Sequence, residues 1–163
     1  MRPMRQIPAL FLAIVMALSL AACGGSETTV TLRGDITDDM GGIPTTDTWI
    51  LTAKDDVVQT IKEVLALDLS EYDDTARDSY ISRLDSLTLE PAKDIEGLEC
   101  TSQMTDGVYT IELTVDCTGS AVQKAVEAGL FTLDGSSNRI SLEQTQASLE
   151  QQGYEVVVEV EEE

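Results

Sequence analysis

Between residues 97 and 117, GLECTSQMTDGVYTIELTVDC, the chain alternates with a period of two: Tyr109, Ile111, Leu113, Val115 and Cys117 are separated by Thr110, Glu112, Thr114 and Asp116. Only an extended strand turns every second side chain to one surface, so this arm has one dry face and one wet face. Such a strand needs neighbours along its edges and a layer over its dry side. An all-helical bundle is thereby excluded. Asp106-Gly107, just ahead of the alternation, is a two-residue hairpin signal.

The rest of the chain supplies the partners. TTVTLRGD, residues 28–35, alternates through Val30 and Leu32 and reads as a first strand. Residues 36–47, ITDDMGGIPTTD, combine paired glycines, a proline and acids, which reads as a loop. TWILTA and VVQTIKEVLALDL, separated by Lys54 to Asp56, read as a hairpin. Along its second arm Val57, Ile61, Leu65, Leu67 and Leu69 share one parity and are expected to be buried, with Gln59 and Glu63 nearer an edge.

Helices cover this sheet. In SEYDDTARDSYISRLDSLTLEP the spacing of Ala76, Tyr80, Leu84 and Leu87 is that of an amphipathic helix, with Ser70 and Asp73 offering capping oxygens and Pro91 forbidding continuation. Two more helices start at Ser120 and Ser141, each followed three residues on by a glutamine, and stop at Gly129 and Gly153. Residues 134–138 are a loop between them, and YEVVVEV is a candidate last strand. The expected fold class is α+β: a mainly antiparallel sheet of about five or six strands with two or three helices packed on one face.

Cys100 and Cys117 flank the hairpin and invite a disulfide if the domain lies outside the cytoplasm. With Asp106-Gly107 as the turn, Cys100 faces Leu113 and Cys117 lies about 13 Å further along, beyond bonding reach. A wider turn over residues 107–110 places the two cysteines opposite each other. Both registers keep the dry face dry, so the pair is a candidate disulfide or two buried thiols.

Other constellations carry less chemistry. Asp35, Asp38 and Asp39 beside Gly41 lack the alternate ligands and the distant glutamate of a calcium loop, so they read as a solvated turn. Trp49 and the tyrosines at 72, 80, 109 and 154 are scattered and read as packing residues. Histidine is absent, which removes the commonest general base and metal ligand. No metal site, cofactor or catalytic residue is expected. Nucleic acid is excluded as a partner, since 30 acids against 10 bases leave a formal charge of −20 that repels phosphate.

Residues 1–22 read as a lipoprotein signal peptide. Arg2 and Arg5 lead, Ile7 to Leu20 is apolar but too short to span a bilayer comfortably, and Ala21-Ala22 precede a cysteine. An ordinary signal peptide cut after Ala22 is the plainer alternative. Leu20 to Cys23, however, resembles the lipobox of bacterial lipoproteins, in which the cysteine sulfur carries a diacylglyceryl group and becomes the first residue of the mature chain. Cleavage there removes the positive charges of Arg2 and Arg5 and takes the formal charge from −20 to −22. One fourteen-carbon chain holds only marginally, and each further buried methylene adds about 0.8 kcal/mol, so two or three chains anchor lastingly. Residues 23–27 form a short lipidated leash and residues 28–163 a single domain with an acidic C-terminal end. The leash keeps Thr28 within about 15 Å of the headgroups.

KDDVVQTIKE (54–63), GLE (97–99), TIELTVD (110–116) and LEQTQASLEQQGYEVV (142–157) together resemble the YehR-type family of small bacterial lipoproteins. The resemblance covers most of the mature chain and implies the same fold and lipidation, with no active site to transfer. The longer loop at residues 34–47 and the acidic tail depart from it.

The expected function is that of a lipid-anchored protein of the cell membrane, on its extracytoplasmic face, that is not an enzyme. It would bind an envelope protein or a small ligand through one face of its sheet. The rival is a carboxylate- or tyrosine-based enzyme acting on cell-envelope material. An inhibitor or accessory subunit, marked by an exposed apolar patch, is a third.

Overall fold

A computed structural model describes residues 27–131 and 139–157. The proposed signal peptide, Cys23, the loop at 134–138 and the acidic end at 161–163 lie outside these residues. The described elements run in the order expected, with one short helix added after the first: β1 (Glu27–Asp35), β2 (Thr45–Lys54), β3 (Val57–Asp68), α1 (Asp74–Leu87), α2 (Leu89–Ala92), β4 (Leu98–Thr105), β5 (Val108–Asp116), α3 (Ala121–Glu127), α4 (Leu142–Gln151) and β6 (Glu155–Val156). The strands form one antiparallel sheet in the order β4-β5-β3-β2-β1-β6, so the fold is α+β.

Two tight turns fix the register. Asp55 and Asp56 have φ of 52° and 63°, and Asp106 and Gly107 have 51° and 84°, the left-handed pair that a type I′ hairpin turn needs. The narrow turn of the β4–β5 hairpin sets Cys100 against Leu113 and leaves Cys117 beyond the end of β5. The wider turn is therefore not used, and both cysteines are free thiols.

The dry parity of β5 is as read: Tyr109, Ile111, Leu113 and Val115 are all buried. Strand β3 departs from the reading at its start and at its centre. Opposite β2 the pairing moves from Thr52–Thr60 to Ala53–Val58, skipping Gln59. This bulge inverts the parity of the first two residues, so Val58, not Val57, is buried. Nor is Glu63 near an edge. β3 pairs with β2 on one side and β5 on the other, and Glu63 faces inward at its centre.

All described helices cover the inner face. α3 and α4 bury Ala121, Ala125, Leu142 and Leu149 with Leu32, Trp49, Leu51, Ile61 and Val115. Helix α1 packs Ile81 and Leu84 on a second cluster built from Ile43, Leu67, Leu69, Tyr109 and Ile111. Each fully buried leucine or isoleucine contributes about 1.5–3 kcal/mol. The expected stripe on α1 is rotated: Tyr80 and Leu87 are exposed, and the facing side includes Arg77 and Asp85. Polar tethers replace apolar contacts there. Arg77 donates to the carbonyls of Leu69 and Ser70, and Tyr109 donates to Asp85.

Helix ends follow local chemistry. Asp73 caps α1 through Ala76 N–H, and Ser141 caps α4 through Gln144 N–H, whereas the Ser120 side chain makes no capping bond to α3. Pro91 does not end the helical region as expected. It sits in the first turn of α2, where an N–H would have no intrahelical acceptor. The loop at 36–47 is also shorter than read, because Thr45 to Asp47 already pair with β3.

Candidate functional site

Two adjacent rows of side chains cross the inner face of the sheet. The first is Cys100, Leu113, Glu63, Trp49 and Leu32, and the second is Ser102, Ile111, Leu65, Asp47 and Gly34. Asp47 and Glu63 are diagonal neighbours on β2 and β3, close enough for their carboxyls to interact. Both stand among apolar residues.

Asp47 is buried, and its Oδ2 accepts two bonds: from Trp49 Nε1–H at 2.8 Å and from the Tyr154 hydroxyl at 2.5 Å. Its Oδ1 is buried without a protein partner. Burial raises the Asp47 pKa, against the hydrogen bonds from Tyr154 and Trp49, which lower it. Glu63 has no such donors. Burial, and then the charge of Asp47, push its carboxyl up to about 8.

Gly34 makes this arrangement possible. It lies beside Asp47 in the β1–β2 ladder, and a Cβ on it would stand 2.9 Å from two ring carbons of Tyr154. The missing side chain is the space through which Tyr154, arriving after α4, reaches Asp47. Trp49 closes another side, edge-on to Phe131 with ring centroids 5.7 Å apart.

Acidic groups continue across the sheet from Glu63. The Cys100 thiol is pushed up to about 11, chiefly by burial and then by the charges of Asp85 and Glu63. Tyr109, which donates to Asp85, is pushed up to about 12, first by burial and then by that bond. Tyr154, Asp47, Glu63, Cys100, Asp85 and Tyr109 thus form an ionisable seam between the two apolar clusters, composed of acids throughout. Lys62 points to the opposite face, where it pairs with Glu112 at 2.8 Å.

The seam reaches an open depression only at its Asp85 end. A depression of about 500 Å³ runs beside α1 over Asp78, Ile81 and Asp85, and another of about 260 Å³ lies by Cys117, Ser120 and Ile140. Neither is lined by Asp47 or Glu63. Among the described residues no three histidine, cysteine or acidic side chains converge as metal ligands. Asp35 in the acidic turn accepts from Thr37 N–H instead.

The outer face of the sheet is different in character. None of the described helices packs on it, and Thr31, Thr48, Ile50, Val64 and Thr114 remain partly exposed around the Lys62–Glu112 pair. Period-two alternation implies a wet face of this kind, whereas the seam is not visible in it. Asp47 and Glu63 share strand parity with Trp49, Leu51, Ile61 and Leu65, and an acid on the dry parity was the available signal.

The chain is similar in structure to E. coli YehR, solved by NMR, with 15% sequence identity over 83% of this chain and 94% of that one at a TM-score of 0.63. It is also similar to the NMR structure of a protein from Streptococcus pneumoniae TIGR4, with 14% identity over 96% of this chain and all of the other at a TM-score of 0.58. No family model and no curated protein matches the chain. The fold is YehR-like.

Proposed function

We propose that the chain is a membrane-anchored extracytoplasmic lipoprotein, tethered at Cys23, that serves as a binding or accessory module through the outer face of its sheet. The observation that carries this reading is the contrast between the two faces. One is covered by helices, while the other leaves Ile50 and Val64 accessible around a neutralised ion pair in a chain of formal charge −20. A surface of low local charge suits a macromolecular partner better than a small polar ligand. The position of Cys23 after a short apolar run supports the tether, and among the described residues no helix is long and apolar enough to cross a membrane.

An envelope-directed enzyme is the second reading, favoured by the Glu63 carboxyl, which burial and the Asp47 charge push up to about 8. Against it, Trp49 and Tyr154 occupy Asp47, and neither depression is lined by Asp47 or Glu63. Photo-crosslinking of the full-length protein in its native membrane tests the choice. A crosslinker at Ile50 or Val64 should trap one discrete partner, and the same group at Ser82 on α1 should not. Adducts only from Ser82 would refute the assignment of the face.

A further inference from the structure

We propose that Asp47 and Glu63 form a charge-coupled pair that holds one proton at neutral pH, and that losing this proton loosens the Tyr154 segment from β1. The inference does not depend on the lipid anchor or on the partner.

The geometry begins with an imbalance. Asp47 Oδ2 accepts from both Trp49 and Tyr154, while Oδ1 is buried with no donor. An orphaned acceptor in an apolar layer is costly, and it calls for a hydrogen. Glu63, diagonal to Asp47 on the adjoining strand and coupled to it by charge, is the carboxyl of the two that has no donors of its own and so keeps a proton. Two carboxylates sharing a dry site cannot both ionise cheaply, so one proton stays with the pair.

The surroundings offer no substitute charge. The groups that interact with Glu63 are Asp47 on β2, Tyr154 after α4 and Cys100 on β4, and beyond Cys100 stand Asp85 of α1 and Tyr109 of β5. Every one is an acid. When the proton leaves to solvent, two negative charges remain under Trp49 and Tyr154, and water must enter to solvate them.

The segment that yields is the one held least. β2 and β3 are fixed along ten paired positions, whereas among the described residues β6 pairs with β1 through Leu32–Val156 and Arg33–Glu155, with one further bond from Val157 N–H to the Thr31 carbonyl. Tyr154 is the side chain that pins this strand across Gly34 to Asp47. Hydrating Asp47 replaces the Tyr154 hydroxyl with water and frees the strand behind it.

Carbon-13 NMR titration of the side-chain carboxyls of the intact protein tests the site, between about pH 4 and about pH 10. The expected Glu63 midpoint lies at least about a unit above the ordinary glutamate value of about 4.3, and the Asp47 carboxyl carbon responds in the same step. Glu63 titrating at the ordinary value overturns the proposal. So does an elevated Glu63 midpoint that Asp47→Asn leaves unchanged, because burial alone would then be its cause. Hydrogen exchange at Val157 reads the mechanical consequence. After correction for intrinsic pH dependence it should accelerate above the midpoint, and in Glu63→Gln it should stay flat. Exchange that is flat in both proteins overturns the coupling to the Tyr154 segment. The unmodified protein alone decides the first outcome, whatever the variants do to folding.

Discussion

The ring of Tyr154 occupies the space that a side chain at position 34 would fill, with two ring carbons 2.9 Å from where a Cβ on Gly34 would stand. Gly34→Ala should therefore displace the ring and break its hydroxyl bond to Asp47. The expected loss is about 1–3 kcal/mol, the usual cost of overpacking. Urea denaturation measures it, and Tyr154→Phe, which keeps the ring and loses only the hydroxyl, should cost less.

Stability should rise as the pH falls from about 8 toward the ordinary glutamate range. The folded Glu63 carboxyl binds its proton up to about 8, whereas the unfolded one releases it near 4.5, so the folded state holds the extra proton between these values. Its contribution is complete below the lower value and lost above the upper one. Glu63→Gln should flatten this slope and, above pH 8, be the more stable protein by roughly 2–4 kcal/mol. Asp35, Asp56 and Asp116, whose pKa values are lowered by hydrogen bonds, act in the opposite sense, but only at more acidic pH. Urea midpoints taken across the pH range should show a maximum on the acid side of neutrality.

Asp56 links the β2–β3 turn to α4. Its carboxylate accepts from Glu143 N–H at 2.9 Å and from the Ser141 hydroxyl at 2.8 Å, and its carbonyl accepts from Leu142 N–H at 2.9 Å. Asp56→Asn should keep the left-handed turn but weaken this cap, lowering the denaturation midpoint more than Asp55→Asn does. Equal effects at the two positions would deny the cap a role.

The thiols should be slow to react in the native state. Burial is the largest cause raising both, Cys100 to about 11 and Cys117 to about 12, so little thiolate exists at neutral pH. Alkylation should proceed only on unfolding, and mass spectrometry without reductant should count two modified cysteines from the domain.

The tether has a direct assay. Cys23→Ser should abolish incorporation of labelled palmitate, and labelling that persists would contradict lipid attachment at this residue.

The order of elements was legible because strand parity and turn chemistry are local. Asp106-Gly107 forms the expected turn, and Tyr109 to Val115 alternate as read. What escaped were features decided between strands. The bulge at Gln59 depends on pairing with β2, and nothing in VVQT specifies it. The face that α1 turns inward follows from Arg77 and Asp85 finding partners on the sheet, which an apolar stripe does not report. The acidic seam needed three separate segments, contributing Asp47, Glu63 and Tyr154, to be brought together.

Because β1 and β2 are antiparallel with Glu27 opposite Lys54, the beginning of the domain shares a pole with the Asp55-Asp56 turn and the first turn of α4. The far pole carries residues 36–44 and the Asp106-Gly107 turn, which packs on Ser70. A tether at Cys23 would point the first pole down at the headgroups and lift the second toward the outside. Neighbours in the same leaflet and visitors from beyond it would then meet different ends of one barrelless slab, with the threonine-rich flank upright between them.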